Sequence, residues 1–335
     1  MKDRSEEILW PSSLRPGDRV RFVSPASTPD KAGVLHRSKI LESWGLQVDF
    51  GAHVFDERGF LAGRDEDRLA DFNGALRDPA VRAIFATRGG KGSYRIADAL
   101  DFDAARRDPK FVVGFSDITA LHLSLWKHCR LAGIHGGLSR GDLDVDDETV
   151  QALRRVLMED GRTVLDADAS EPTADFTTAG SASGPLLGGN LQMIATAAGW
   201  ALPDLTGAIL LIEAVDMPIG LVDRNWITLE KSGVLDGIAG VAFGQFHRFR
   251  TDGAWTVFDY LKENLTRLDV PILGGLPLGH RPRALPVPVG AQAHLDASAG
   301  TLTVEATAVR SQKRPAPRTS PSARHPGSRG NPVRA

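Results

Sequence analysis

The strongest chemical signal lies in KFVVGFSDITALHLSLW (110–126), where an apolar run passes through Gly114, Phe115, Ser116 and Asp117 straight into an apolar-periodic helix. A strand, a sharp turn and a helix start in that order project a serine hydroxyl over the carboxyl edge of a sheet, where open α/β folds bind ligands. The amide after it and the helix dipole favour developing negative charge there. The pattern suits a nucleophile. It is not the G-x-S-x-G elbow, since Ile118 stands at the second glycine position, and a serine at a helix start is also a good N-cap.

A second loop, Thr87 to Ser93 (TRGGKGS), follows the preceding strand and so ends on the same edge. Its glycines permit close backbone approach to a ligand. It matches neither G-x-x-x-x-G-K-[ST] nor G-x-G-x-x-G, which argues against a phosphate cradle. The amides of Gly90 and Asp117 can instead form a two-donor oxyanion hole, and Arg88 and Lys91 are candidates for gripping substrate.

A serine nucleophile needs a base, and His280 sits among glycines and prolines in ILGGLPLGHRPRALPVPVG (272–290), the composition of a loop at a strand end. His135 in GIHGG is the competitor, whereas the sequence places His122 and His128 on a helix as packing or surface residues. The third member must be a carboxylate. Glu213 ends the apolar run GAILLIEAV, where an unpartnered acid is costly. A solvent-facing Glu213, or one paired with Arg224, is the alternative, with Asp216 and Asp223 as nearby acids.

Elements that would carry these residues follow a βαβ rhythm: VRFVSPAS, a helix to Trp44, LQVDFG, an amphipathic RDEDRLADFNGALRD, VRAIFATRGG, a helical SYRIADAL, FVVGF and the helix ITALHLSLWKHC. A buried parallel sheet covered by helices on both faces is the expectation. Residues 1–141 form this N-terminal α/β domain. The acidic, small-residue stretch 142–183 reads as a linker carrying one helix and little core. Residues 184–310 form a smaller β-containing domain, with a helix at GNLQMIATAAG, strands at GAILLIEAV and GIAGVAFGQF, a helix at DRNWITLEKSG and a closing AQAHLDASAGTLTVEA hairpin. Residues 311–335 carry six Lys/Arg, no acid and many Pro, Ser and Gly, which marks a disordered basic tail.

The chain has 335 residues, 42% of them hydrophobic, enough for two joined domains. A formal net charge of −2 supplies no broad basic field, so nucleic acid is not an expected partner. With the tail's six cations set aside, the remainder carries about −8. Its one cysteine, Cys129, excludes an internal disulfide and a cysteine-rich metal site. The charged N-terminus lacks a signal-peptide core and the longest apolar run is too short to span a bilayer, so no membrane partner and a cytoplasmic location are expected.

Taken together, LRPGDRVRFVSPAS, RDEDRLADFNGAL, VRAIFATRGGKGSYR, GFSDITAL, IHGG, GGNLQMIATAAG, ILLIEAVD, VDRNWITLEKSGVL and LGHRPRALPVPVG resemble, in order, the LD-carboxypeptidase family of serine peptidases, which includes murein tetrapeptide carboxypeptidases and microcin C self-immunity proteins. The resemblance runs from Arg15 to Thr307. It implies a triad of Ser116, His280 and Glu213, a flavodoxin-like N-terminal domain, a site between the two domains, a homodimer, and no metal or organic cofactor. The implied reaction is hydrolysis of an amide at an LD junction, such as terminal D-Ala release from cytoplasmic murein peptides. A self-immunity amidase acting on a peptidyl-nucleotide, or a non-catalytic protein holding a peptide or nucleotide in the same cleft, are the alternatives. Two departures bear on substrate. Lys91 replaces a frequent aromatic in the Gly-rich loop, and the run from Glu213 to Leu221 lacks the second Glu, the Tyr and the Arg of the form E-D-x-x-E-x-x-Y-R.

Overall fold

A computed structural model describes residues 7–140, 143–144, 146–249, 255–281 and 283–306, so the proposed basic tail at 311–335 lies outside the described residues. The N-terminal half runs β1 (Arg19–Val23), α1 (Lys31–Ser43), β2 (Gln47–Phe50), α2 (Asp65–Arg77), β3 (Val81–Ala86), α3 (Phe102–Arg107), β4 (Phe111–Gly114), α4 (Thr119–Cys129) and β5 (Gly133–His135). These strands pair in the parallel order β2-β1-β3-β4-β5, the flavodoxin-like order that right-handed βαβ crossovers generate.

After a two-residue ribbon, β6 (Ser139–Arg140) with β7 (Leu143–Asp144), come α5 (Asp147–Met158), β8 (Gly161–Asp166), β9 (Ser181–Asn190), α6 (Leu191–Ala197), β10 (Ile209–Val215), α7 (Ile219–Lys231), β11 (Gly240–His247), α8 (Val257–Leu265) and β12 (Ile272–Leu273). The chain closes with β13 (Val287–Val289), β14 (Gln292–Asp296) and β15 (Thr301–Ala306). The second sheet has seven strands in the order β12-β11-β10-β9-β14-β15-β8, parallel from β12 to β9 and antiparallel beyond.

Three stretches differ from their sequence reading. Residues 142–183 contribute to the core, for β8 completes the edge of the second sheet beside β15, and Leu153, Leu157, Leu165 and Phe176 are buried. β13 leaves the second half to add an antiparallel edge to the first sheet opposite β5, a position where Pro288 costs little because edge strands tolerate a missing donor. SYRIADAL forms a single 3-10 turn (Ser93–Arg95) and further i→i−3 turns, because Gly92 precedes it at φ 121° and the Ser93 side chain is committed to Asp117.

The helix that follows Ser116 is buried on nearly every side, and the reason is its position. Leu123 and Trp126 of α4 pack into the cluster of the second half, while Ala120, Leu121, Leu125 and Cys129 pack into that of the first. A further apolar cluster crosses the two sheets, joining Phe22, Phe85 and Val113 to Leu186, Leu211 and Leu302. At about 1.5–3 kcal/mol per fully buried large apolar side chain, this shared core fixes the two strand-end edges against each other.

Candidate active site

The carboxyl ends of β3, β4 and β5 face those of β9, β10 and β11 across a cleft of about 880 Å³. Ser116, Asp117, Gly90, Arg88, Lys91 and His280 all line it. Ser116 stands at φ 62°, the left-handed region, immediately after extended Phe115. Holding a serine there costs on the order of 1 kcal/mol and lifts its side chain out of the helix path. The N-cap alternative is not what forms: the residue in the cap position is Phe115, and no side-chain cap bond is made.

Gly89 explains how the turn and the Gly-rich loop nest. A Cβ on Gly89 would lie 2.9 Å from Ser116 Cβ and 3.2 Å from the Asp117 nitrogen, so only glycine brings the loop this close. Ser27 anchors the loop, accepting the Lys91 N–H at 3.0 Å and donating its own N–H to the Gly89 carbonyl. Arg68, fully buried on α2, reaches the carbonyls of Pro25 and Gly92 and the carboxylate of Asp65. No hydrogen bond among the described residues uses the N–H of Gly90 or of Asp117, and both residues border the cleft.

Glu213 is fully buried two residues before the end of β10. Its Oε2 lies 2.7 Å from His280 Nδ1, and its Oε1 accepts from Asn190 Nδ2 at 3.2 Å. Burial alone would raise its pKa. The adjacent His280 charge and hydrogen bond, then His135 and the Asn190 amide, outweigh that and hold the carboxyl below its ordinary range. Asn190 is placed in turn by the first half, since its N–H donates to Thr119 Oγ1 at 3.1 Å. A chain of polar contacts therefore runs from the helix of Ser116 to the imidazole of His280.

The competing histidine sits behind this array. His135 is buried, with Nε2 4.0 Å from Glu213 Oε1, and desolvation pushes its pKa down to about 4, so it is neutral near pH 7. The Phe115 ring neighbours both imidazoles, 5.0 Å from that of His280 and 6.1 Å from that of His135. His122 is buried against the Val112 carbonyl and His128 stacks on Phe102, both in packing positions. Glu213 makes no pair with Arg224, which is exposed on α7 beside Asp223. Asp216 is exposed at the cleft rim.

Among the cationic candidates, Lys91 is exposed at the cleft, while the Arg88 guanidinium reaches the Thr28 carbonyl at 3.4 Å. Sequence reasoning missed Ser27, Arg68, Thr119 and Asn190. The Asn190 signal was present in Gly188-Gly189-Asn190: glycines at φ 124° and 137° at a strand end admit neighbours that side chains would exclude. A Cβ on Gly189 would sit 2.6 Å from Thr119 Oγ1.

Family models for the LD-carboxypeptidase N-terminal and C-terminal domains match residues 20–136 and 183–295. The chain is 32% identical over 302 residues to a probable murein peptide carboxypeptidase of Bacillus subtilis, covering 88% of this chain and 94% of that one. It is 35% identical to a putative carboxypeptidase of Streptomyces coelicolor, covering 90% and 98%. Among solved structures, muramoyltetrapeptide carboxypeptidase from Oxalobacter formigenes superposes with a TM-score of 0.76 at 26% identity, covering 86% of this chain and 98% of that one. Microcin C7 self-immunity protein in complex with aspartyl sulfamoyl adenosine shares the fold with a TM-score of 0.79 at 23% identity, covering 89% and 98%.

Proposed function

Because the chain belongs to the LD-carboxypeptidase family of serine peptidases, we propose that it hydrolyses the amide at an LD junction and releases the terminal D-Ala of a cytoplasmic murein peptide. The observation that carries this reading is the 2.7 Å contact between buried Glu213 and His280 in the cleft that the left-handed Ser116 also lines.

In the proposed reaction His280 Nε2 takes the Ser116 hydroxyl proton while its Nδ1–H stays on Glu213 Oε2. The alkoxide attacks the scissile carbonyl, and the N–H groups of Gly90 and Asp117 stabilise the resulting oxyanion, each worth about 3 kcal/mol by analogy with such donors. Protonated His280 then gives its proton to the leaving amine. Water, activated by the same imidazole, cleaves the acyl-enzyme and restores the hydroxyl. Lys91 and Arg88 face the substrate, and the reading includes a homodimer, which sedimentation equilibrium would check.

A self-immunity amidase acting on a peptidyl-nucleotide is the second reading, and one feature favours it. Met217 stands in the cleft wall where the resemblance would place a charged residue, buried with its sulfur 3.5 Å from Asn225 Nδ2, so this wall offers apolar surface. The cleft volume is within the range of sites that enclose drug-sized ligands. The test is intact-protein mass spectrometry after exposure to a fluorophosphonate, with the modified residue mapped, alongside turnover of a murein tetrapeptide and an acyl-sulfamoyl adenylate. Label on Ser116 with D-Ala release supports the first reading, and adenylate cleavage alone supports the second. Label elsewhere, or Ser116→Ala with wild-type turnover, refutes both.

A further inference from the structure

His280 stands in a segment with little regular structure, flanked by Gly279 at φ 133° and preceded by Gly274, Gly275 and Pro277. Local backbone preference does not fix such a segment, so its imidazole must be placed by contacts from elsewhere. Glu213 supplies one. The Phe115 ring, 5.0 Å away, packs against the imidazole, and Gln245 holds the backbone on either side.

Gln245 grips the chain on both sides of the histidine. Its backbone N–H donates to the Leu278 carbonyl at 2.7 Å, and its side-chain Oε1 accepts the Arg281 N–H at 3.0 Å. Its Nε2 donates to Glu171 Oε1 at 3.1 Å, and Glu171 Oε2 accepts from Arg281 Nη1 at 3.0 Å. Both ends of the Gln245 amide are thus used, on a side chain in a residue only 2% exposed.

The backbone is arranged for this. Pairing between β10 and β11 runs Ile212 to Phe243 and then Ala214 to Phe246, which inserts one extra residue into β11 opposite Glu213. Bulges of this kind re-aim a side chain and concentrate beside active sites. Gly244 permits it, for a Cβ there would lie 3.2 Å from Glu213 Cβ and 2.5 Å from the Leu278 carbonyl.

We infer that Gln245, anchored by Glu171, is a positioning residue that holds His280 in register with Glu213 and Ser116. The inference rests on the serine-peptidase reading above. Gln245→Glu keeps the shape but removes the donor and sets a carboxylate against Glu171. Displacement of the histidine by about 1 Å should lower kcat about 100-fold with KM within about twofold. Glu171→Gln, which keeps an acceptor for Arg281, should lose less. The double variant Gln245→Glu/Glu171→Gln exchanges amide and carboxylate, restores every donor–acceptor pair and should return kcat to within about threefold of wild type, a rescue that a merely structural role would not give.

The readouts are D-Ala release from a murein tetrapeptide and the rate of fluorophosphonate labelling at Ser116, on variants whose melting is cooperative. A wild-type enzyme unlabelled at Ser116 overturns both the function and this inference. Labelled wild type with Gln245→Glu at full rate, or a double variant no faster than the slower single, overturns this inference alone.

Discussion

Replacing Glu213 by Gln separates charge from shape at the centre of the site. The carboxylate is fully buried and its Oε2 lies 2.7 Å from His280 Nδ1, so it compensates the imidazolium that forms as Ser116 loses its proton. Two charge centres about 4 Å apart at an effective dielectric near 20 interact by about 4 kcal/mol, which is about a 1,000-fold effect on rate. The introduced amide can also turn its NH2 toward Nδ1, selecting the tautomer with the proton on Nε2, where His280 cannot accept from Ser116; an amide at this place in a Ser-His-Asp triad costs about 10,000-fold. Asn190 Nδ2 donates to Oε1 at 3.2 Å and favours that orientation, because the oxygen of the introduced amide can keep that bond. The expected loss in kcat for Glu213→Gln is therefore about 1,000- to 10,000-fold, with a cooperative melt like that of wild type, since the replacement is isosteric and removes a buried charge. Single-turnover labelling of Ser116 by a fluorophosphonate, followed by intact mass, measures it without assuming a substrate. A rate within tenfold of wild type would refute the role assigned to the carboxylate.

Gly89→Ala puts a Cβ 2.9 Å from Ser116 Cβ and 3.2 Å from the Asp117 nitrogen, so kcat should fall at least about 100-fold with the protein still folded; activity near wild type would show that the turn has room to shift. Burial raises the Asp117 pKa from 3.8 to about 6, so protonation favours the folded state and this contribution to stability is lost as pH rises from about 4 through 6. Asp117→Asn should match wild type in urea denaturation near pH 4 and exceed it by on the order of 3 kcal/mol above pH 7, and a gap independent of pH would count against that account. Burial lowers the pKa of His122 to about 3, so the unfolded chain takes up a proton there as pH falls below 6.5. The neutral fold loses stability over that window, and His122→Gln should flatten the slope by about 1.4 kcal/mol per pH unit between pH 4 and 6. An unchanged slope would mean that His122 is protonated in the fold.

What the sequence disclosed, and what it withheld, divides along a physical line. The parallel pairing of β1 to β5 was legible because short β-rich runs alternate with helical ones and βαβ connections leave few arrangements, while the strand order came only with the flavodoxin-like resemblance. Ser116 was legible for the same local reason: an apolar strand, a glycine and a helix in immediate succession. Glu213 stood out as an acid ending a buried strand, and His280 as an imidazole among glycines and prolines. Their meeting in one cleft is a tertiary fact that no local pattern contains. β8 escaped notice because only Leu165 of its six residues is buried, the expected signature of an edge strand and a weak one to read. Residues 142–183 looked like connection because acids flank the buried face of α5, although Leu153, Val156 and Leu157 repeat at helical spacing within it. Asn190 and Gln245 were hidden more deeply. An amide at a strand end reads as ordinary polarity until Thr119 approaches one, and a one-residue bulge opposite Glu213 turns the other toward the His280 loop. The residues that hold the reacting groups still are thus less visible than the reacting groups themselves. A nucleophile or base needs a particular side chain in a recognisable local setting, whereas a support needs only a donor and an acceptor in the right place, and the fold alone decides where that place is.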